Sequence, residues 1–297
     1  MNKMVMIGLA AAAMALTACG PKHLNEEYSK YDPSMSKAMN LALLTELTTK
    51  DGPLKDSKPV KVAKNTSNPL QTLNTASSVA MVAAQSTGAM LDVGMGIEGS
   101  MGAGALGILM GGNTDYKPVL SGHIFAWMPT SFAENETSAT NKMATLLYSH
   151  IKDSLPKEVK YTRDIPPYPY KLFSEAKAFE ITVELEGHKY SIEGNIAVPE
   201  LTKKSWLTDG EKTYYWSYMR TSRDNSSTMG YSIYLLDGDK LKYTDDGKLD
   251  NLSILKKVAS KLPSWVYVYV APNIEKKTPA YFLNQGKVLP FIRPAMD

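Results

Sequence analysis

The one cysteine of the chain, Cys19, closes the run Leu16-Thr17-Ala18-Cys19. A lone thiol has no partner for a disulfide within the chain. The four histidines, His23, His123, His150 and His188, are scattered, with no H-E-x-x-H pair and no thiolate neighbour, so no zinc ligand set can be named. Ser34-x-x-Lys37 has the spacing of a penicillin-binding nucleophile. The same spacing recurs at Ser154/Lys157, Ser174/Lys177 and Ser253/Lys256, and neither S-D-N nor K-T-G accompanies any of them. There is no G-x-S-x-G elbow. Asp237, Asp239, Asp245 and Asp246 depart from the spacing of a calcium-binding loop, and the Asp-Gly pairs among them are hairpin-turn residues. No nucleophile, base and orienting group can be nominated together. The expectation is therefore a protein with no catalytic residues and no metal.

The context of Cys19 is more informative. Lys3 is followed by an apolar run over residues 4–15, and small residues lead up to the cysteine. That is the pattern of a secretory signal, too short to span a bilayer stably. Leu16-Thr17-Ala18-Cys19 resembles the lipobox of bacterial lipoproteins. The resemblance implies that the thiol receives a diacylglyceryl group, that the peptide is cut before Cys19, and that the new amine is acylated. Residues 1–18 would then be a signal peptide. The bound groups expected are the acyl chains on Cys19, palmitate among them, with no dissociable cofactor. In such lipoproteins the residues after the cysteine sort the product, and Gly20-Pro21 lacks the acidic residue that causes inner-membrane retention. The implied place is the outer membrane, on its periplasmic face, with the membrane as a partner.

The net charge of +3 is spread along the chain without a basic block. Phosphate binding needs a concentrated basic face, so nucleic acid is not an expected partner. Residues 75–112 are dominated by Ala, Gly, Met and Ser, with Asp92 and Glu98 as the charged members. Within them Gly94-x-Gly96-x-x-Gly99 is repeated eight residues later as Gly102-x-Gly104-x-x-Gly107. A dinucleotide fold needs a strand before these glycines, but residues 80–89 have helical character. The row Gly99, Ala103, Gly107 and Gly111 puts a small residue at every fourth position, which leaves one helix face smooth enough for close packing. It resembles the glycine-zipper segments of some envelope lipoproteins and pore-forming proteins. These four residues are the candidates for oligomerisation or membrane packing.

Positioning elements follow from periodicity and caps. Residues 19–74 read as an anchor, a short amphipathic helix opened by Asp32-Pro33 and carrying Met35, Met39, Leu43, Leu44 and Leu47, and a linker. Residues 113–297 read as a self-sufficient periplasmic α+β domain. A strand over residues 121–128 precedes a helix with Met143, Leu146, Leu147, His150 and Ile151 on its apolar face, capped by Thr137 or Ser138 and stopped by Pro156. A loop at Pro166-Pro167-Tyr168-Pro169 follows. Ile181, Val183 and Leu185 then alternate with polar residues into a hairpin with Tyr190 and Ile192. Strands over residues 213–220 and 231–236, a helix capped by Asp250, and strands around residues 265–270, 281–283 and 288–292 complete the order. That is α+β with a mostly antiparallel sheet and two or three helices, lacking the regular alternation of a doubly wound sheet.

Two aromatic groups remain. Tyr214, Tyr215, Trp216 and Tyr218, with Arg220 and Arg223, form a candidate binding surface for a glycan or a protein, or else a strand with aromatics on both faces. Trp265, Tyr267 and Tyr269 share one strand face while Val266, Val268 and Val270 share the other, the mark of either a sheet buried on both sides or an aromatic interaction surface. The functional expectation is a non-enzymatic outer-membrane lipoprotein. It would be a structural or oligomerising part of an envelope assembly for secretion, conjugation or surface export, with further copies of itself or other envelope proteins as partners. The alternatives are a lipoprotein that binds peptidoglycan or another glycan, and an envelope hydrolase.

Overall fold

Strand β1 (His123–Pro129) lies at the centre of a sheet built mostly from the far end of the chain. The computed structural model describes residues 30–52, 54–57, 122–170, 173–202, 205–216, 230–237, 240–243, 248–272 and 279–294. The first sheet also holds β5 (Glu200–Thr202), β6 (Thr213–Trp216), β9 (Val266–Val270), β10 (Tyr281–Asn284) and β11 (Lys287–Pro290), in the order β11-β10-β9-β1-β6-β5. The second sheet has the order β2-β3-β4-β7-β8, from β2 (Lys160–Tyr170), β3 (Phe173–Leu185), β4 (His188–Ile196), β7 (Gly230–Asp237) and β8 (Lys240–Tyr243). All pairs between these strands are antiparallel. The fold is α+β. The chain passes from one sheet to the other and back repeatedly, so neither sheet is completed by a continuous stretch of sequence.

Among the described residues, three helices cover these sheets. Helix α1 spans Lys37–Leu44, α2 spans Glu136–Lys152 and α3 spans Asn251–Lys261. The Asn135 side chain caps α2, accepting from the Ser138 amide at 2.8 Å, so the cap falls two residues before the expected Thr137. Of the expected apolar face, Met143, Leu147 and Ile151 are buried while Leu146 and His150 are half-buried, and α2 packs on β2, β3 and β4. Asp250 caps α3 as expected, accepting from the Ser253 amide at 2.9 Å, and α3 packs on β9, β10 and α2. Together these elements enclose one apolar core.

The first sheet is buried on both sides. Ile124, Ala126, Met128, Val266 and Val268 join the core that contains α2 and α3. Phe125, Trp127, Tyr267, Tyr269 and Phe282 join a second core with α1. The alternation in Val266–Val270 is thus the mark of a sheet covered twice. Residues 30–52 and 54–57, assigned from sequence to a tether, a short helix and a linker, supply Ala38, Met39, Leu41, Leu44, Leu47 and Leu54 to this second core. Helix α1 is not amphipathic: Ala38 to Leu44 are all buried. Its cap is Ser36, whose Oγ accepts from the Met39 amide at 2.9 Å and donates to Asp56 at 2.5 Å. Asp32 instead closes a turn, accepting from the Ser34 amide and hydroxyl at 2.9 and 2.6 Å.

Pro166, Pro167 and Pro169 lie within β2, where a loop was expected. This strand is the edge of its sheet, so a missing outward N–H costs nothing, and the pairing with β3 shifts register around the prolines. The β3–β4 hairpin turns through Glu186 and Gly187, both with positive φ (49° and 82°), the twist that a two-residue hairpin requires.

Candidate functional site

Cys19, Gly99, Ala103, Gly107, Gly111 and Tyr218 lie outside the described residues. The other candidate surface residues are in β6, which pairs with β1 on one side and β5 on the other. Tyr214, Tyr215 and Trp216 are 4%, 2% and 2% exposed, so they do not form an open binding surface. Tyr214 and Trp216 belong to the core with α2 and α3, and Tyr215 to the core with α1. The Trp216 indole donates to the Ala197 carbonyl at 2.8 Å, which satisfies its only donor. A strand with aromatics on both faces is the arrangement found.

The most distinctive feature near β6 is the aromatic layer beneath α1. Residues at alternate positions of β1 supply His123, Phe125 and Trp127, and their cross-strand neighbours are Tyr269, Tyr267 and Tyr215. Trp127 stacks on Tyr215 with ring centroids 4.9 Å apart and meets Tyr267 edge-on at 5.8 Å. His123 lies parallel to Tyr269 at 6.3 Å. The Lys37 ammonium sits over the Tyr267 ring, 5.4 Å from its centroid. Burial lowers the Lys37 pKa, and the Lys287 charge adds to this. At the β5 end, Trp206 packs into the layer and contacts Tyr31 at 4.9 Å. Burial pushes the Tyr215 phenol well above its ordinary pKa, and the charges of Glu46 and Glu200 push the same way. This phenol stays protonated at neutral pH. The period-two pattern of Val266–Val270 was a visible signal of the layer; the helix that covers it, α1, was expected as a short amphipathic helix, but its burial on all sides and its place over this sheet were not legible.

A second cluster lies on the open side of α2. Lys152 is 2.5 Å from Asp164 on β2, Tyr148 also donates to Asp164, and the ammonium lies 5.1 Å from the Tyr148 ring centroid and 5.2 Å from that of Tyr161. Burial raises the Tyr148 pKa, and its hydrogen bond to Asp164 adds to that. Hydrogen bonding to Asp164 raises Lys152. For Asp164, burial acts upward, but the hydrogen bonds from Lys152 and Tyr148 outweigh it and hold the carboxyl below its usual range. At neutral pH the phenol and amine are therefore protonated and the carboxylate is ionised. The ion pair and the hydrogen bond to Asp164 make this cluster a strut between α2 and β2.

On the outer face of the second sheet, Tyr168 donates to Glu180 at 2.7 Å and Arg163 pairs with the same carboxylate at 2.8 Å. Burial and that hydrogen bond push Tyr168 up to about 12. His150, in the last turn of α2, is pushed below its ordinary value by burial, with Asp153 opposing and Lys261 reinforcing the shift. Among the described residues no group of three or more His, Cys, Asp or Glu is placed to hold a metal ion, and no helix is long and apolar enough to cross a membrane. No family model, curated protein or solved structure matches the chain.

Proposed function

We propose that the chain is a non-enzymatic lipoprotein of the outer membrane, held on the periplasmic face by acyl chains on Cys19. It serves as a structural or oligomerising part of an envelope assembly for secretion, conjugation or surface export. The observation that carries this reading is Leu16-Thr17-Ala18-Cys19 directly after the apolar run of residues 4–15, in a chain with no other cysteine. One further feature supports it. The small-residue row at Gly99, Ala103, Gly107 and Gly111 is suited to packing between copies. A glycan platform at Tyr214, Tyr215 and Trp216 has no support, because these rings fill the cores.

The test is the native mass of the protein extracted from membranes in mild detergent, with whatever remains attached. The expected result is a mass of several copies, or stable co-purification with other envelope proteins. A single copy free of partners at native abundance would contradict an assembly role.

A further inference from the structure

Among the described residues, the exposed large hydrophobic side chains are Tyr31, Phe132, Tyr161 and Leu201. Tyr161 lies on β2, beside the Lys152 ammonium. The others gather at one end of the first sheet. Strand β1 ends at Pro129, opposite Thr213 at the start of β6, and Thr213 lies opposite Thr202 at the end of β5. The turn carrying Phe132 and the turn of residues 205–212 therefore leave the sheet at the same end, and the Thr130 amide donates to the Lys212 carbonyl at 3.4 Å between them. Trp265 enters β9 at this end too, its carbonyl accepting from the Trp127 amide at 3.0 Å.

Each exposed ring has an indole beside it. Phe132 meets the half-buried Trp265 edge-on with centroids 6.1 Å apart, and Tyr31 lies 4.9 Å from the half-buried Trp206. Trp265 on the β9 side and Leu201 on β5 are three strand spacings apart, about 14 Å. Single exposed hydrophobics are ordinary, but several gathered with two indoles at one end mark a contact surface. Described charges of both signs surround them, Lys30, Lys142 and Lys212 with Glu134, Asp209 and Glu211, so the apolar side chains carry the contact.

The direction from which the chain arrives selects the occupant. Cys19 precedes Tyr31 by about a dozen residues, at most about 43 Å when fully extended, and Tyr31 is itself part of the aromatic end. Trp and Tyr favour the membrane–water interface, where an apolar ring and a polar tip are both accommodated. We propose, building on the lipid anchor at Cys19, that this end of the first sheet docks on the phospholipid surface, with Phe132, Tyr31 and Leu201 among the headgroups and Trp206 and Trp265 beside them. The acyl chains hold the protein and the aromatic end orients it.

The test places the full-length protein in vesicles of phosphatidylcholine brominated on its acyl chains, with acylation of Cys19 checked by mass. Of the four tryptophans, Trp127 and Trp216 are 1% and 2% exposed within the cores, so bromine quenching reports on Trp206 and Trp265. The expected result is a loss of wild-type emission relative to the unbrominated lipid, smaller in Trp206→Phe and in Trp265→Phe. Phe132→Ser, at an exposed position, should weaken the quenching at an unchanged melting temperature. An acylated protein without quenching overturns the proposal and leaves the anchor standing, whereas an unacylated protein overturns both. Absence of quenching together with a lower native mass of Phe132→Ser in detergent would assign this end to a protein partner and overturn the proposal as well.

Discussion

Ser57 pairs with Ile292 in a parallel bridge that ties the N-terminal segment to the end of the chain. The Ser57 amide donates to the Phe291 carbonyl at 2.9 Å, its hydroxyl donates to the same oxygen at 3.0 Å, and the Arg293 amide donates to the Ser57 carbonyl at 3.0 Å. Together with α1, this bridge makes residues 30–57 a structural part of the sheet they cover.

The first prediction concerns that cover. Leu41 and Leu44 are both fully buried against the aromatic layer. Leu44→Ala should cost about 2–5 kcal/mol, the range for a leucine cavity that cannot collapse, read as a fall in the urea midpoint. A fragment beginning at residue 30 should melt cooperatively. One beginning at residue 113, which would bare Phe125, Trp127 and Tyr267, should melt far lower and bind a hydrophobic dye. Equal melting of the two fragments would show that α1 is dispensable.

Gly194 is predicted to be intolerant of a side chain. It lies opposite Phe179, and a Cβ added there would fall 2.0 Å from the Phe179 ring. Phe179 is fully buried, so the ring has no room to retreat. Gly194→Ala should destabilise by about 1–3 kcal/mol through overpacking, measured by thermal or urea unfolding. The Gly194→Ala/Phe179→Leu double variant should recover part of that loss; strict additivity would mean that the two positions do not compete for space.

The strut between α2 and β2 gives a pH dependence of known sign. Asp164 is held below its unfolded pKa, so its contribution is complete above the ordinary carboxylate range and is lost as pH falls through the folded value. Both partners are about one-third exposed, which keeps the effect to roughly 1 kcal/mol or less. Asp164→Asn should therefore be slightly less stable than wild type at pH 7 and indistinguishable from it in strong acid. A difference that grew on acidification would reverse the assignment.

How much of this could be read from sequence depended on whether the cause was local. The β3–β4 hairpin was legible because Ile181, Val183 and Leu185 alternate with polar residues, and α3 because Asp250 and Pro263 punctuate it. Strand β2 was hidden by its prolines, which are excluded from central strands but tolerated at an edge, and edge position is a property of the whole sheet. The insertion of β1 between β6 and β9 depends on contacts far apart in sequence, which no local pattern encodes. The aromatics of β6 illustrate the limit. Their composition suits a surface or a double-sided core equally, and only the layers on either side decide between them.

The small-residue row is predicted to hold copies of the chain together. If the row packs as proposed, each leucine placed at Gly107 or Gly111 would block the close approach of the two small-residue faces. The Gly107→Leu/Gly111→Leu variant should lose its oligomeric native mass in detergent while still carrying lipid. An unchanged mass, together with free protease cleavage between these positions in intact membranes, would identify the segment as a linker.

Lipidation of Cys19 underlies the whole functional account. A single acyl chain holds a protein at a membrane only marginally, at roughly 0.8 kcal/mol for each buried CH₂, whereas several chains on one residue hold it essentially permanently. The decisive measurement is metabolic labelling with an alkyne-tagged fatty acid, followed by fractionation, for wild type and Cys19→Ser. The account predicts a labelled wild-type protein in the outer-membrane fraction and an unlabelled Cys19→Ser protein that is absent from it. An unlabelled wild type, or a Cys19→Ser protein that fractionates with the outer membrane as wild type does, would contradict it.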